Sequence, residues 1–276
     1  MKKVIILTGS ELRHVFFCKF ISLDKNIKVI NSYCEGREKG LQELVDKDKV
    51  RNDIRAKHLS ARKQSEEDFF RLFVDTTIDE SHSISLQKGD INKTEYVRAI
   101  INSNPDLLIA FGCSIIREPL LDAFPGRFLN VHLGLSPYYR GSGTNYWPLV
   151  RAEPEYVGAT FMHIDAGIDT GEIIHQIRAN FSLGDSPSQI GNRLIVQMSF
   201  VYRNIIINFE SLAKMPQLCL SLNKKVYRKK DFTEESVDAL YNNFENNLVE
   251  KYLNEKSARC ANVPIIINSA LEHQTL

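Results

Sequence analysis

Asn130 and His132 are separated by a single residue in the stretch LNVHLGLSPYYRG, where an apolar run ends. Residues i and i+2 of a β-strand point to the same face, so the two side chains would lie side by side at a strand end. The Asn amide donates hydrogen bonds, and the His imidazole titrates near neutral pH. A donor that stabilises an oxyanion, beside a group that transfers a proton, is the minimum equipment for acyl transfer.

A carboxylate that could orient the imidazole occurs further along the chain. Asp165 and Asp169 lie in FMHIDAGIDTGEII, and the glycines around Asp169 form a turn that can present its side chain at a strand end. The residues alone leave two other interpretations open. Asn130 and His132 could simply cap the end of a strand, and Asp169 could be only a turn residue, because local hydrogen bonds favour Asp in turns. We expect no metal, because no ligand geometry is fixed by the spacing of His163, Asp165, Asp169 and His175.

Strands and helices alternate in the sequence around these residues. Short apolar runs predict strands near residues 4–7, 27–30, 83–86, 107–110, 127–132, 157–165 and 171–177. Helices are predicted from Glu11, over 92–102 with Asn92 as the N-cap, over 118–123, and over 186–212 with Ser186 at the start. This alternation predicts an α/β fold with a mostly parallel twisted sheet and flanking helices. Ligands bind beyond the carboxyl ends of such strands, so residues 9–14, 112–116 and 130–140 should share one rim.

Two segments depart from this pattern. A charged stretch over about residues 35–75 predicts a helical insertion, which is either structural or the contact of a homodimer. We divide the chain into a catalytic domain over 1–215 and a small C-terminal α+β extension over 216–276. The extension combines a basic segment, KKVYRKKDF, with a helix over 233–253. The basic segment is either a solvated edge strand or a contact for phosphates.

Composition narrows the class of protein. The chain has 276 residues, of which 43% are hydrophobic and 25% are charged, and its formal net charge is +1. Nothing in this balance indicates a nucleic acid or a membrane surface as a partner. Five Cys without a close pair favour a reducing, cytoplasmic location and give no zinc-ribbon spacing. The apolar run at the start is too short for a signal peptide, so we interpret it as a first strand.

Four motifs in order carry a resemblance to a known family. They are Asn130-x-His132, the loop from Leu135 to Gly141, Gly158-Ala-Thr160, and the turn from Asp165 to Gly171. Together they resemble the formyltransferases that use 10-formyltetrahydrofolate, among them the glycinamide ribonucleotide, methionyl-tRNA and amino-sugar enzymes. The resemblance covers about residues 105–176, is weaker before them, and is absent after about residue 212. It implies a Rossmann-like formyltransferase fold.

The resemblance also implies roles for individual residues. It makes Asn130, His132 and Asp169 a catalytic triad that moves a formyl group from 10-formyltetrahydrofolate, without a metal, to a primary amine. One wall of the implied folate pocket is Cys113, Ser114, Ile115 and Ile116. The other wall corresponds to Asp165 through Ile168, including Gly167, although Asp165 could serve only to stabilise its turn. We interpret Cys113 as a small loop residue whose backbone contacts the ligand, and not as a nucleophile.

Candidate acceptor-binding residues lie on two loops. Arg13 and His14 begin a helix, whose N-terminus favours anions, although a solvated first turn is the alternative. Tyr139 and Arg140 could line the amine site, or their loop could pack against the sheet. Leu133 and Gly134 depart from the family pattern after the His, where Pro or Gly and then Ser are common.

The acceptor is predicted mostly by elimination. The loop over 8–14 lacks the Gly-rich phosphate loop of the glycinamide ribonucleotide enzymes, and the C-terminal segment is too short for the barrel domain of the methionyl-tRNA enzymes. We therefore expect a small-molecule amine, with a nucleotide-linked amino sugar favoured and no tRNA. The alternatives are an amino-acid-derived amine or glycinamide ribonucleotide as acceptor, a formyltetrahydrofolate hydrolase with the same triad, and a non-catalytic folate-binding protein.

Overall fold

The computed structural model describes residues 1–36, 53–167, 169–217 and 226–274. Its nine strands in these ranges are β1 Lys2–Gly9, β2 Ile27–Glu35, β3 Ser83–Leu86, β4 Leu107–Phe111, β5 Phe128–His132, β6 Arg140–Gly141, β7 Gly158–His163, β8 Ile173–Arg178 and β9 Val226–Tyr227. The α-helices described are α1 Leu12–Ser22, α2 Ile54–Thr76, α3 Thr94–Asn102, α4 Leu120–Ala123, α5 Trp147–Val150, α6 Pro187–Ile207, α7 Glu234–Glu245 and α8 Leu248–Ala261. Short 3₁₀ helices are Asp90–Asn92, Pro154–Tyr156, Phe209–Ser211, Lys229–Asp231 and Ser269–Gln274.

Seven of the strands form one sheet in the order β3-β2-β1-β4-β5-β7-β8. The first five strands of this order run parallel, and β7 and β8 pair antiparallel. The predicted α/β fold with a mostly parallel sheet is therefore confirmed. The antiparallel end of the sheet determines how the turn that contains Asp169 approaches His132.

Both faces of the sheet are covered by helices. Successive residues of β1 alternate between two apolar clusters, with Ile6 on one side and Ile5 on the other. The first cluster includes Phe17 of α1 and Tyr202 of α6, whereas the second includes Ile100 of α3. Since side chains of a strand alternate in direction, this is the burial expected of a central parallel strand between two helical layers.

The predicted insertion is described in part. Its helix, α2, is observed, while residues 37–52 of the insertion lie outside the described residues. Phe70 of α2 packs against Phe16 of α1 with ring centroids 4.8 Å apart, so the helix lies outside the first layer of helices. The strand predicted over 27–30 extends to Glu35, and the insertion follows this strand instead of including its end.

The C-terminal residues share the main core. Leu240, Tyr252 and Leu271 belong to the same apolar cluster as the central strands. The single helix predicted over 233–253 is wrong: α7 and α8 are separate, because the chain turns at Asn247, whose φ is +60°. The division at 215/216 stays a prediction, and its two sides meet in one core.

No helix in the described ranges is both long and apolar enough to cross a membrane.

Acid should destabilise the fold through three buried histidines. Burial lowers the pKa values of His58, His163 and His175 from 6.5 to about 4. The unfolded chain therefore binds more protons than the folded chain between about pH 6.5 and pH 4, and stability falls as the pH drops through this range. We expect each histidine to contribute on the order of 1–3 kcal/mol to this loss.

Urea unfolding at pH 7 and pH 5 measures this dependence. His175→Gln should reduce the loss between the two pH values, whereas the exposed His82, replaced by Asn, should leave it unchanged. An unfolding free energy that is the same at both pH values would contradict the assignment of neutral, buried rings.

Candidate active site

His132 ends strand β5, and its ring lies between two oxygen atoms. The ring is 8% exposed. Its Nδ1 lies 3.3 Å from Oδ1 of Asp169, and its Nε2 lies 3.1 Å from the main-chain oxygen of Tyr139. A neutral imidazole carries one N–H and satisfies one of these acceptors, whereas the doubly protonated ring satisfies both. The two contacts therefore hold the ring in a defined orientation.

Asn130 lies two positions earlier on the same strand. In the sheet it pairs with Ala110 of β4 and Met162 of β7, so the predicted strand end is observed. Strand geometry directs its side chain to the same face as that of His132. Within the described ranges no hydrogen bond of the Asn130 side-chain amide is observed.

Asp169 reaches His132 from a turn that begins elsewhere on the sheet. Because β7 is antiparallel to β5, its last residue, His163, lies opposite Leu129, three residues before His132. That offset corresponds to about 10 Å along a strand. The turn must therefore extend along the sheet, and Asp169 adopts a left-handed conformation, with a φ of +53°. Oδ2 of Asp169 also accepts a hydrogen bond from the Gly141 amide, at 3.2 Å.

Asp165 stabilises the first half of this turn. Its Oδ1 accepts hydrogen bonds from the Gly167 amide at 3.0 Å and from the Thr170 hydroxyl at 2.7 Å. A Cβ added to Gly171 would lie 1.8 Å from the main-chain oxygen of His163, so only glycine fits where the turn closes. The structure thus shows the turn-stabilising role of Asp165, while folate contact by Asp165 and Gly167 stays a prediction. Ile168 lies outside the described residues.

Gly134 lies so close to the His132 ring that a larger residue would overlap it. A Cβ at this position would lie 2.7 Å from Nε2 of His132 and 2.7 Å from Cβ of Thr144. The main-chain oxygen of Gly134 accepts a hydrogen bond from the Thr160 hydroxyl at 2.7 Å. The family pattern commonly has Ser at this position. In this chain the lack of space beside His132 and Thr144 explains why the residue is Gly.

Tyr139 and Arg140 were predicted to contact the acceptor or to pack against the sheet. The Tyr139 side chain is 3% exposed, and its hydroxyl donates to Glu153. Burial raises the pKa of Tyr139 far above its ordinary value, and its ring stacks on Tyr227. For Tyr139 the geometry favours packing. The half-buried Arg140 donates from Nη2 to Oε1 of Gln217 at 2.9 Å.

Arg13 and His14 are engaged within the protein. Arg13 forms ion pairs with Glu11 and with Glu66 of α2, the latter at 2.5 Å. His14 is 4% exposed and its Nδ1 accepts from the Glu11 amide at 3.2 Å, which caps α1. Substrate binding by these two residues stays a prediction.

The loop of Cys113, Ser114, Ile115 and Ile116 follows β4, next to β5. Glu35, which is 1% exposed at the end of β2, accepts from the Ser114 amide at 2.6 Å and from the Gly89 amide at 2.9 Å. The Lys88 ammonium lies 3.3 Å from the same carboxylate. Ile116 is buried and Ile115 is 70% exposed, so the loop presents one apolar side chain outward. Folate binding by this loop stays a prediction.

Two residues that support this loop were missed or misassigned from the sequence. Glu35 was missed. It is the lone acidic residue in the strand Ile27–Glu35, and a carboxylate at the end of a buried strand could have indicated a role in holding a loop. The prediction of Asn92 as an N-cap is wrong, because Lys93 occupies that position. Asn92 instead donates to the main-chain oxygen of Ile115 and accepts from the Arg117 amide, both at 2.9 Å.

Cys113 has the properties of a neutral thiol. Burial, together with the negative charge of Glu35, raises the pKa of the Cys113 thiol to about 12. A thiol with such a pKa is a poor nucleophile at neutral pH, because the thiolate is the reactive form. Within the described ranges, no group of three or more His, Cys, Asp or Glu side chains could hold a metal ion.

Comparison with known proteins agrees with this geometry. Residues 2–205 match the family model described as formyl transferase. The chain belongs to the formyl transferase family. The match extends well before the motifs that carried the resemblance and confirms it.

Three formyl transferases show how far this chain differs from its relatives. It is 31% identical over 136 residues to a methionyl-tRNA formyltransferase from Ruminiclostridium cellulolyticum, a match that covers 48% of this chain and 43% of that protein. A sugar N-formyltransferase from Shewanella sp FDAARGOS_354 superimposes with a TM-score of 0.55 at 14% identity and covers 87% of both chains. Phosphoribosylglycinamide formyltransferase from Streptococcus pneumoniae TIGR4 has a TM-score of 0.50 at 19% identity, over 76% of this chain and 99% of that one. The two structures show the shared fold.

Replacement of Gly134 by alanine tests the close approach to His132. We expect Gly134→Ala to lower the free energy of unfolding by about 1–3 kcal/mol, because the added methyl overlaps His132 and Thr144. Gly191, within α6, has no atom within 4 Å of an added Cβ and is the matched control. Gly191→Ala should stabilise the protein by up to ~1 kcal/mol. Equal effects of the two substitutions in urea unfolding would refute the steric explanation.

Proposed function

We propose that the protein is an N-formyltransferase that moves a formyl group from 10-formyltetrahydrofolate to a primary amine of a small metabolite. The observation that carries this proposal is the contact of His132 with Asp169 at 3.3 Å, on the strand that also presents Asn130. Membership of the formyl transferase family supports the same reaction.

The proposed reaction uses each residue for a separate task. The amine attacks the formyl carbon, and the bond from this carbon to N10 of the folate breaks as the new amide bond forms. Asn130 and protonated His132 donate hydrogen bonds to the oxygen on which negative charge develops. One proton leaves the amine and one arrives at N10. In the proposed mechanism His132 relays it from Nε2, which exchanges the Tyr139 carbonyl for the ligand, while Asp169 holds the ring at Nδ1.

The donor is a folate that arrives as a substrate, already carrying its activated formyl group. We assign the loop from Cys113 to Ile116 to the pterin end of such a ligand, because Ile115 presents an exposed apolar side chain. Glu35 and Asn92 hold the loop through hydrogen bonds with the Ser114 amide and the Ile115 carbonyl.

A nucleotide-linked amino sugar is our favoured acceptor. The start of α1 supports this choice, because carboxylates of Glu11 and Glu66 already neutralise Arg13. An Arg13 that is already paired with carboxylates is less able to bind a phosphate at this helix terminus. Glycinamide ribonucleotide carries such a phosphate, so the arrangement argues against it as the acceptor. An amino-acid-derived amine and glycinamide ribonucleotide are the alternatives.

A screen of candidate amines with 10-formyltetrahydrofolate tests the proposed reaction. Tetrahydrofolate release should require the amine, and the product should have the mass of the amine plus one formyl group in place of one hydrogen. Formate release at an undiminished rate without any amine would instead identify a hydrolase and overturn the proposal.

His132→Ala tests the role of the ring. We expect a loss of at least ~10²-fold in kcat/KM, the usual scale for a general acid–base group. His82→Asn is the matched control, because His82 is exposed and precedes the edge strand β3 at its amino-terminal end. Formyl transfer by His132→Ala within a few-fold of wild type would make the mechanism wrong.

Glu35→Gln tests the support of the folate loop. The amide of Gln has the same size as the carboxylate of Glu, but it carries no charge. Its N–H group would face the main-chain amides of Ser114 and Gly89, which are also donors. We expect the KM for the folate to rise about tenfold with little change in kcat, since a charge-assisted hydrogen bond is weakened away from the reacting atoms. The exposed Glu80, replaced by Gln, is the control, and an unchanged KM in Glu35→Gln would contradict a role in donor binding.

A further inference from the structure

We infer that Gln217 is a positioning residue that holds Asp169 against His132, an inference that rests on the proposed formyl transfer. Gln217 lies outside the motifs of the sequence and outside residues 2–205 of the family match. Its side-chain amide joins the two loops that carry the site.

Both the nitrogen and the oxygen of the Gln217 side-chain amide form hydrogen bonds. Nε2 donates to the main-chain oxygens of Asp169, at 2.8 Å, and of Gly171, at 3.0 Å. Oε1 accepts from Nη2 of Arg140 at 2.9 Å. Both N–H groups are therefore directed to the Asp169 turn, and the oxygen is directed to the loop that follows His132.

The Asp169 turn needs support from outside itself. Asp165 holds the first half of the turn through Gly167 and Thr170. In the second half, Asp169 has a φ of +53°, a conformation that residues other than glycine rarely adopt. The two carbonyls that flank Thr170 are those that Gln217 binds.

The backbone near Gln217 is itself fixed to the sheet. Met215 and Ile173, the first residue of β8, form an antiparallel bridge with N···O distances of 2.7 and 2.9 Å. Gln217 follows this bridge by two residues, so its amide lies on a segment that is hydrogen-bonded to β8, the strand into which the turn leads. The Gln217 amide is thus held by the sheet and can set the position of Asp169.

The chemistry of this position requires an amide. A carboxylate at 217 would keep the contact with Arg140 but would place negative oxygens against the carbonyls of Asp169 and Gly171. An apolar side chain of similar size would lose all three contacts. Gln217 touches no reacting atom in this arrangement, so its effect on the reaction must pass through Asp169.

Gln217→Leu and Gln217→Glu test the inference in the protein of 276 residues. We expect both to lower kcat about 10- to 100-fold, the scale of a small misplacement of a catalytic group, with the KM for the folate changed by less than about threefold. Gln64→Glu, on the exposed face of α2, is the matched control and should keep wild-type kinetics. A folded Gln217→Leu protein with kcat within about twofold of wild type would overturn the inference.

A double substitution distinguishes positioning from general destabilisation. If Gln217 acts through Asp169, Gln217→Leu should cause little further loss when it is added to Asp169→Asn, so the two effects are not additive. Independent, multiplicative losses would assign Gln217 a merely structural role and reject the inference.

A readout without catalysis separates this inference from the proposed function. At a fixed pH, the ¹⁵N chemical shifts of the His132 ring in Gln217→Leu should move toward those in Asp169→Asn. If the wild-type protein transfers no formyl group to any amine, the proposed function fails, while this shift still reports whether Gln217 positions Asp169. Ring shifts that stay at their wild-type values in Gln217→Leu would reject the positioning role itself.

Discussion

The contact between His132 and Asp169 joins two segments that the sheet by itself keeps apart. His132 is at the carboxyl end of β5, whereas the turn with Asp169 starts opposite Leu129, because β7 runs antiparallel to β5. A β7 parallel to β5 would have ended at the edge of the sheet where His132 lies. In the observed antiparallel arrangement the turn from Asp165 to Gly171 spans the distance back to the imidazole.

The loop after His132 is shaped by aromatic packing as much as by hydrogen bonds. Tyr139, Trp147 and Tyr227 stack in one cluster, with Trp147 and Tyr227 centroids 4.5 Å apart. Since the buried rings fix the backbone of Tyr139, its carbonyl is held beside Nε2 of His132. The aromatic packing of this loop therefore also determines the surroundings of the His132 ring.

The sequence predicted the parts of the site that depend on local patterns. Alternation along a strand placed Asn130 and His132 together, and the glycines around Asp169 indicated the turn. Residues that act through long-range contacts could not be predicted in this way. Glu35 reaches Ser114 across β1, and Gln217 reaches Asp169 from beyond the last strand of the main sheet. Asn92 was misassigned for the same reason: the contacts with Ile115 and Arg117 outweigh the local tendency to cap a helix.

The pairing of β6 with β9 has a consequence for the order in which the protein matures. All seven strands of the main sheet are complete at Arg178, but Gln217 and Tyr227 come later in the chain. Domains begin to fold as their residues emerge from the ribosome. All strands of the sheet are therefore synthesised before the residues that contact the Asp169 turn, whereas the helices that cover one face of the sheet, α6 to α8, are synthesised after Arg178.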